Sequence, residues 1–523
     1  RQAAATFVMV AVAAFLITAD RPRLAWAAAF SGGWGAVIAL VGFYTASYNR
    51  GGEIAEFPFL SALLAVLIAA PLFQTIRDEG RPALPYARLH NYVWSDAIIG
   101  AASLAFTGLT FLLFLLVSEM FRAIGIDALR DLLDTGWFAW LLAGGAFGAA
   151  SATLRTREAL LTTLQRLVTL VTAILAPALA AALVLFLLAL PVTGFAGLWR
   201  SGLPETPMLL AAAAFAFALL NAIIGESPDD RRPGALWRLT EAGLSLAILP
   251  LGVLALVSMM MRVDQYGWTP ERIWGVVACL VAIVYGLANV AAWARARARF
   301  DEPLRDYQKW LAVGLSATAL LLALPIVDFG AVSARSQLAR LETGRVAPDR
   351  FDWAAMAFDF GPAGRRALER IATLGPDDQR RLASRALQSR ARYAVREDVA
   401  LAEAEAGLDR RVRIATPGLA LDDRLRLHLA RSGRCAAPQH CTLVAIDQGR
   451  VGVISVPAKG GQATAEVIDV AGLPADRGIA VAPAVDGVDL AKVADPHGAR
   501  IEVRAVTRRQ IFVDGQPVGR PFE

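Results

Sequence analysis

Long apolar runs separated by short arginine-bearing loops fill the chain as far as about Val327, and beyond that point apolar and polar residues mix as in ordinary soluble sequence. A helix crossing about 30 Å of hydrocarbon at about 1.5 Å per residue needs roughly 20 apolar residues, because each backbone amide must be satisfied within the helix. Ten stretches meet that need, at residues 3–19, 24–46, 57–76, 97–118, 137–154, 167–193, 207–225, 242–261, 273–293 and 310–327. The first and fifth are short and the sixth is long, so about ten spans are expected. None of the ten, so drawn, contains Asp, Glu, Lys, Arg or His. That argues against a proton relay or voltage sensor, which place ionisable groups at membrane depth despite the cost.

Past residue 327 the punctuation changes. Gly361 and Pro362 open one helix, and Gly375 with Pro376 end it and open another through about Arg392. Phe351, Trp353, Phe358 and Phe360 form an aromatic patch suited to the bilayer interface or to packing. From Cys441 the pattern turns to short alternating runs at 441–446, 450–456, 464–470, 501–506 and 510–515, separated by Gly, Pro and Asp, which predict a small antiparallel sheet. The expected fold is an all-α polytopic membrane bundle (1–327) followed by a smaller α+β soluble domain, helical over 328–434 and β-rich over 435–523.

Composition agrees with this pattern: 56% of residues are hydrophobic, 19% are charged and the mean hydropathy is +0.48, all unlike an ordinary soluble domain. The net charge of +6 calls for no nucleic-acid partner, since arginines between apolar spans account for it. One alternate set of loops carries sixteen Lys and Arg between Arg21 and Lys309, whereas the other carries six: Arg50, Arg122, Arg130, Arg200, Arg262 and Arg272. The richer set is expected on the cytoplasmic side, which puts everything after Val327 outside. The chain opens on Arg1 with no separable secretory signal, so the first run reads as a retained span.

Candidate chemistry is sparse. Asn221, Tyr285 and Asn289 are the polar candidates inside spans, as interhelical hydrogen bonds or as ligands. Glu53, Glu56, Glu119 and Asp264 are outer-loop carboxylates of the kind an enzyme acting on lipid-linked donors would need as a base. Gly144 and Gly148, one helical turn apart, would let two helices approach closely. Pro71, Pro177, Pro250 and Pro325 lie inside or near the ends of spans.

"CAAPQHC" (435–441) reads either as part of a metal site or as a bridge. His428, Cys435, His440 and Cys441 could be counted as four zinc ligands, but their separations match no finger or ribbon. The oxidising side of a membrane favours a disulfide between Cys435 and Cys441. Cys279, inside a span, is expected to be a small buried hydrophobe. No P-loop, dinucleotide fingerprint, HExxH or GxSxG is present, so no cofactor is expected.

"MRVDQYGWTPERIWGVVACLVAIVYGLAN" (261–289) and "DFGAVSARSQLARLETGRVAPDRFDWAAMAFDFGPAGRRALERI" (328–371) together resemble the bacterial membrane-protein family catalogued as domain of unknown function 4153. The resemblance implies a multispanning bacterial inner-membrane protein and brings no catalytic residue with it. Tyr266, Gly267, Trp268, Thr269, Pro270 and Glu271 are family-like positions, and physically Thr269 can cap the helix that Pro270 starts. Charge-free spans point first to a non-enzymatic envelope or anchoring protein, with the lipid bilayer and a periplasmic or envelope protein as partners. A transporter or flippase is the second reading and a membrane-embedded transferase acting on a lipid-linked substrate the third. The sequence sets no oligomeric state.

Overall fold

The computed structural model describes residues 2–48, 56–200, 204–395, 407–433, 435, 439–446, 449–456, 464–470, 509–513 and 516–522. The chain divides into two compact units, residues 1–346 with 355–367, and residues 347–354 with 368–523. The first unit therefore continues past the expected boundary at residue 327 and takes in the helix that follows.

That unit is built from α1 (Gln2–Thr18), α2 (Leu24–Tyr48), α3 (Glu56–Glu79), α4 (Tyr86–Ala123), the short α5 (Ala128–Asp134), α6 (Gly136–Thr156), α7 (Glu158–Thr193), the short α8 (Ala196–Arg200), α9 (Glu205–Ile224), α10 (Ala235–Tyr266), α11 (Pro270–Ala296), α12 (Asp301–Ala323) and α13 (Phe329–Glu342). Each of the ten apolar runs falls on one of these helices, and eight, α2 to α4, α6, α7 and α9 to α11, are long and apolar enough to cross a membrane. At 17 residues α1 is shorter, and α12 drops out because Asp301, Glu302, Arg305, Asp306 and Lys309 crowd its first turns.

Helix boundaries correct the expectation of charge-free spans. The apolar run at 97–118 is the middle of α4, which begins at Tyr86 and so carries Arg88, His90 and Asp96. Its candidate span of 37 residues would run about 55 Å, well beyond a hydrocarbon layer of about 30 Å.

Among the described residues, two cores hold the bundle. Val10, Ala14, Ile38, Val41, Ala62 and Val66 pack α1, α2 and α3 together, and a larger core around Leu220, Leu244, Leu251, Cys279 and Leu304 joins α7, α9, α10, α11 and α12. Helix α12 lies along α3 and so links the two. In lipid, apolar burial gives helices little reason to associate, and close backbone approach takes its place. A Cβ on Gly286 would stand 2.5 Å from Leu249 Cα, and one on Gly252 would stand 3.1 Å from the Ile283 nitrogen, so α10 and α11 cross at these two glycines. The expected pair does not do this: a Cβ on Gly144 would meet nothing within 4 Å, and one on Gly148 only Leu16 Cδ1 at 3.8 Å. Pro71, Pro177 and Pro250 lie inside helices, joined by Pro191, and Pro325 follows the end of α12.

Helix α14 (Gly361–Leu374) starts at the predicted glycine, and α15 (Asp377–Gln388) follows Pro376. In the second unit, β1 (Val412–Ile414), β2 (His440–Ala445), β3 (Arg450–Val456) and β4 (Thr464–Asp469) form one sheet in sequence order. Strands β2 to β4 are the predicted antiparallel meander, with Cys441 opposite Ser455 and Val451 opposite Ile468. Strand β1 pairs parallel to β2, Val412 opposite Cys441, so the sheet is mixed rather than purely antiparallel. Helix α16 (Asp423–Ser432) is capped by Asp422, which accepts from the Leu425 amide at 2.8 Å, and it buries Leu425 and Leu429 on Leu443, Val453 and Ile468. Strands β5 (Arg509–Val513) and β6 (Gln516–Phe522) form a separate hairpin, and the run at 501–506 lies outside the described residues. Phe351, Trp353 and Phe360 are buried rather than displayed as a surface patch, with Trp353 Nε1 donating to the Pro348 carbonyl at 2.8 Å.

Candidate functional site

Three constructions in the first unit use polar groups for something other than solvation. The first is the turn between α10 and α11. Gly267, at φ 75°, turns the chain out of α10, and Thr269 Oγ1 accepts from the Arg272 amide at 3.4 Å to cap α11, as its sequence predicts. The carbonyls freed at the end of α10 are collected by α13. Arg340 donates to the carbonyls of Asp264, at 3.0 Å, and Gln265, while Gln337 Nε2 donates to those of Tyr266 and Trp268 at 2.8 and 3.1 Å. Ser336 Oγ accepts from the Trp268 amide at 3.1 Å, and Arg272 adds a bond to the Gly267 carbonyl at 2.7 Å. A side chain at Gly267 would run into Arg340 Cδ at 2.6 Å, so the glycine serves the clamp as well as the turn.

The second construction is a partly open apolar cavity of about 330 Å³ between α3, α9, α10, α11 and α12, lined toward one end by Phe217 and Tyr285, whose rings meet edge to face at 5.0 Å. One turn beyond Phe217, Tyr86 Oη stands 3.1 Å from Asn221 Oδ1, 2.9 Å from Gln308 Oε1 and 3.2 Å from His90 Nδ1. One hydroxyl proton serves one acceptor, so with Asn221 Oδ1 as that acceptor His90 must donate from Nδ1 and the Gln308 amide must present its nitrogen to Tyr86. Gln308, 7% exposed, has a buried Nε2 with no hydrogen-bond partner. Asn289 is spent differently: its Oδ1 accepts from Ser245 Oγ at 3.0 Å, Ser245 accepts from Trp293 Nε1 at 2.9 Å, and its Nδ2 donates to the Tyr285 carbonyl at 2.8 Å. Asn221, Tyr285 and Asn289 thus lie along one seam, with Asn289 acting as a tie between α10 and α11.

The third is a pair of ionic staples at helix ends. Asp301 receives Arg231 and Arg305, each at 2.6 Å, and Arg231 also holds Glu241. Arg305 reaches on to the carbonyls of Ile224 and Ser227 at 2.7 and 3.0 Å, closing the end of α9. Burial works to lower the Arg231 pKa, yet the hydrogen bond and charge of Glu241 and the charge of Asp301 carry it above its ordinary value. At the end of α1, Arg155 takes the carbonyls of Leu16 and Ala19, Arg77 that of Thr18 and Gln74 that of Ile17. Cationic side chains there also suit the negative end of the helix dipole.

Each of the described outer-loop carboxylates has its own setting. Glu119 pairs with Arg122 and Arg130 at 3.3 and 3.4 Å, Glu56 opens α3 exposed, and Asp264 contributes its carbonyl while its side chain stays exposed. Among the described residues no hydrogen bond or ion pair links these three; Glu53 lies outside the described residues. Cys435 and Cys441 are joined by a disulfide, both buried in the core of the sheet. Among the described residues no group of three or more His, Cys, Asp and Glu is arranged to hold a metal. Cys279 is fully buried, as a small hydrophobe should be.

Sequence reasoning missed Tyr86, Gln308, Ser336, Gln337 and Arg340. A signal was present: Asp301, Arg305 and Gln308 recur at helical spacing before an apolar run, as do Ser336, Gln337 and Arg340 after one, so each set shares a helix face.

A family model described as Domain of unknown function (DUF4153) matches residues 4–371. The chain belongs to that family. The family's match takes in the bundle, the clamp and most of α14, and it ends before the sheet. No curated protein and no solved structure matches the chain.

Proposed function

We propose that the protein is a non-enzymatic anchor of the bacterial inner membrane, whose bundle fixes the chain as it emerges and presents a C-terminal α+β unit to an envelope partner on the periplasmic side. The observation that carries this reading is the clamp of Ser336, Gln337 and Arg340 on the α10–α11 turn: the segment leaving the last apolar helix is bonded to the bundle over about one helical turn rather than left as a tether. The excess of Arg and Lys on the opposite loops favours an outer position for that turn, and a disulfide after it suits an oxidising compartment.

One observation favours a second reading, a transporter or flippase. Tyr86, His90, Asn221 and Gln308 make a half-buried polar cluster at the ends of apolar helices, and polar groups that meet among such helices can mark a transport site. No comparable observation favours the transferase reading. The test is a maleimide-polymer gel shift in native membranes on a Cys279→Ser variant. The proposal expects Cys435 and Cys441 to react only after reduction. Reaction of both without reductant, in inverted vesicles and not in intact cells, would place the unit in the cytoplasm and overturn it.

A further inference from the structure

The apolar cavity lies among helices, four of which, α3, α9, α10 and α11, are long and apolar enough to cross a membrane. Its lining follows the helix repeat, Leu210, Ala213 and Phe217 on α9 and Trp274, Val281 and Tyr285 on α11, so the space is a channel along the helices rather than a pit between their ends. From Trp274, one turn into α11, to Tyr285 is about 16 Å at 1.5 Å per residue, close to half of a hydrocarbon layer of about 30 Å. That is the depth of one leaflet.

We propose that this channel holds one acyl chain of a membrane phospholipid, drawn from the leaflet on the Trp274 side, with the chain end against the Phe217–Tyr285 pair. Water is a poor occupant, since it needs two to four polar partners. Of the three lining hydroxyls, Ser61 Oγ already accepts from Trp274 Nε1 at 3.0 Å and Thr318 Oγ1 already donates to the Gly314 carbonyl at 2.8 Å, which leaves that of Tyr285 at the far end as the main polar group. Alanines at 213, 214, 278, 282 and 319 keep the channel wide, and hydrocarbon filling it recovers the dispersion contacts that an empty space forfeits. The channel is partly open, and the medium around spanning helices is lipid. The inference goes beyond the anchoring role and holds whichever face of the membrane is outer.

The full chain, reconstituted in vesicles of phosphatidylethanolamine carrying a diazirine along one acyl chain, is irradiated and digested, and the adducts are mapped by mass spectrometry. Adducts should concentrate on lining residues such as Leu210, Val281 and Leu315, several-fold above lipid-exposed Leu109 and Leu112 of α4. Ala278→Phe, which fills the channel, should remove that excess, whereas Val284→Phe on the exposed face of α11 should leave it. The wild-type map decides alone if Ala278→Phe fails to fold. Labelling of the lining no greater than that of α4 would overturn the proposal, and so would cross-linked peptides showing a helix of a second copy seated in the channel.

Discussion

Asp301 is 1% exposed and answers two arginines, while Lys309 and Asp306, on the same helix and at a similar 2.8 Å, share an ion pair in which Asp306 is largely open to solvent. The two pairs should respond differently to loss of the acid. Removing one partner of a buried pair strands a charge and costs about 3–5 kcal/mol, whereas an exposed pair contributes about 0–1 kcal/mol. Asp301→Ala should therefore lower the melting temperature in detergent clearly, Asp301→Asn by less because its amide oxygen still accepts from one arginine, and Asp306→Ala hardly at all. Equal shifts for Asp301→Ala and Asp306→Ala would remove the staple from the account. None of these roles was legible from residue type alone. Arg77, Arg155, Arg231 and Arg305 count toward the positive loops in sequence, yet they cap helix carbonyls or neutralise buried acids, and only their partners reveal it.

At the scale of elements, α10 and α11 meet where Gly286 faces the backbone at Leu249. A larger side chain there must push the helices apart, and overpacking of a fitted core costs about 1–3 kcal/mol. Gly286→Val should destabilise the bundle in a thermal melt and Gly144→Val should not; the reverse ranking would mean that the α6 glycines carry the packing. Apolar runs of membrane length made every long helix legible. Their ends were not, because α4 and α12 extend through polar turns whose side chains find partners inside the bundle, and hydropathy alone reads such turns as loops. The glycine pair on α6 was legible as a pattern, but whether a glycine admits a neighbour depends on which helix it faces. Strand β1 escaped for a related reason, being three residues in an arginine-rich stretch that gain their place only by pairing with β2.

For the molecule as a whole, the two stretches that carried the family resemblance touch one another: 264–268 supply the carbonyls and 336–340 the side chains of the clamp. The sequence showed each stretch, but only folding brings them together. The seam of Asn221, Tyr285 and Asn289 was legible as three polar residues in apolar helices, whereas the cavity beside it was not, since a cavity is a property of five helices and of no single run. The central claim is that the clamp and the unit after it face the periplasm. Single cysteines placed in a background of Cys279→Ser, at Leu374, which is 79% exposed in the second unit, and at the exposed Arg157 between α6 and α7, test it directly with a membrane-impermeant maleimide on intact cells. The account predicts labelling of Leu374→Cys before lysis and of Arg157→Cys only after lysis. Labelling of Arg157→Cys in intact cells, with Leu374→Cys protected until lysis, would contradict it.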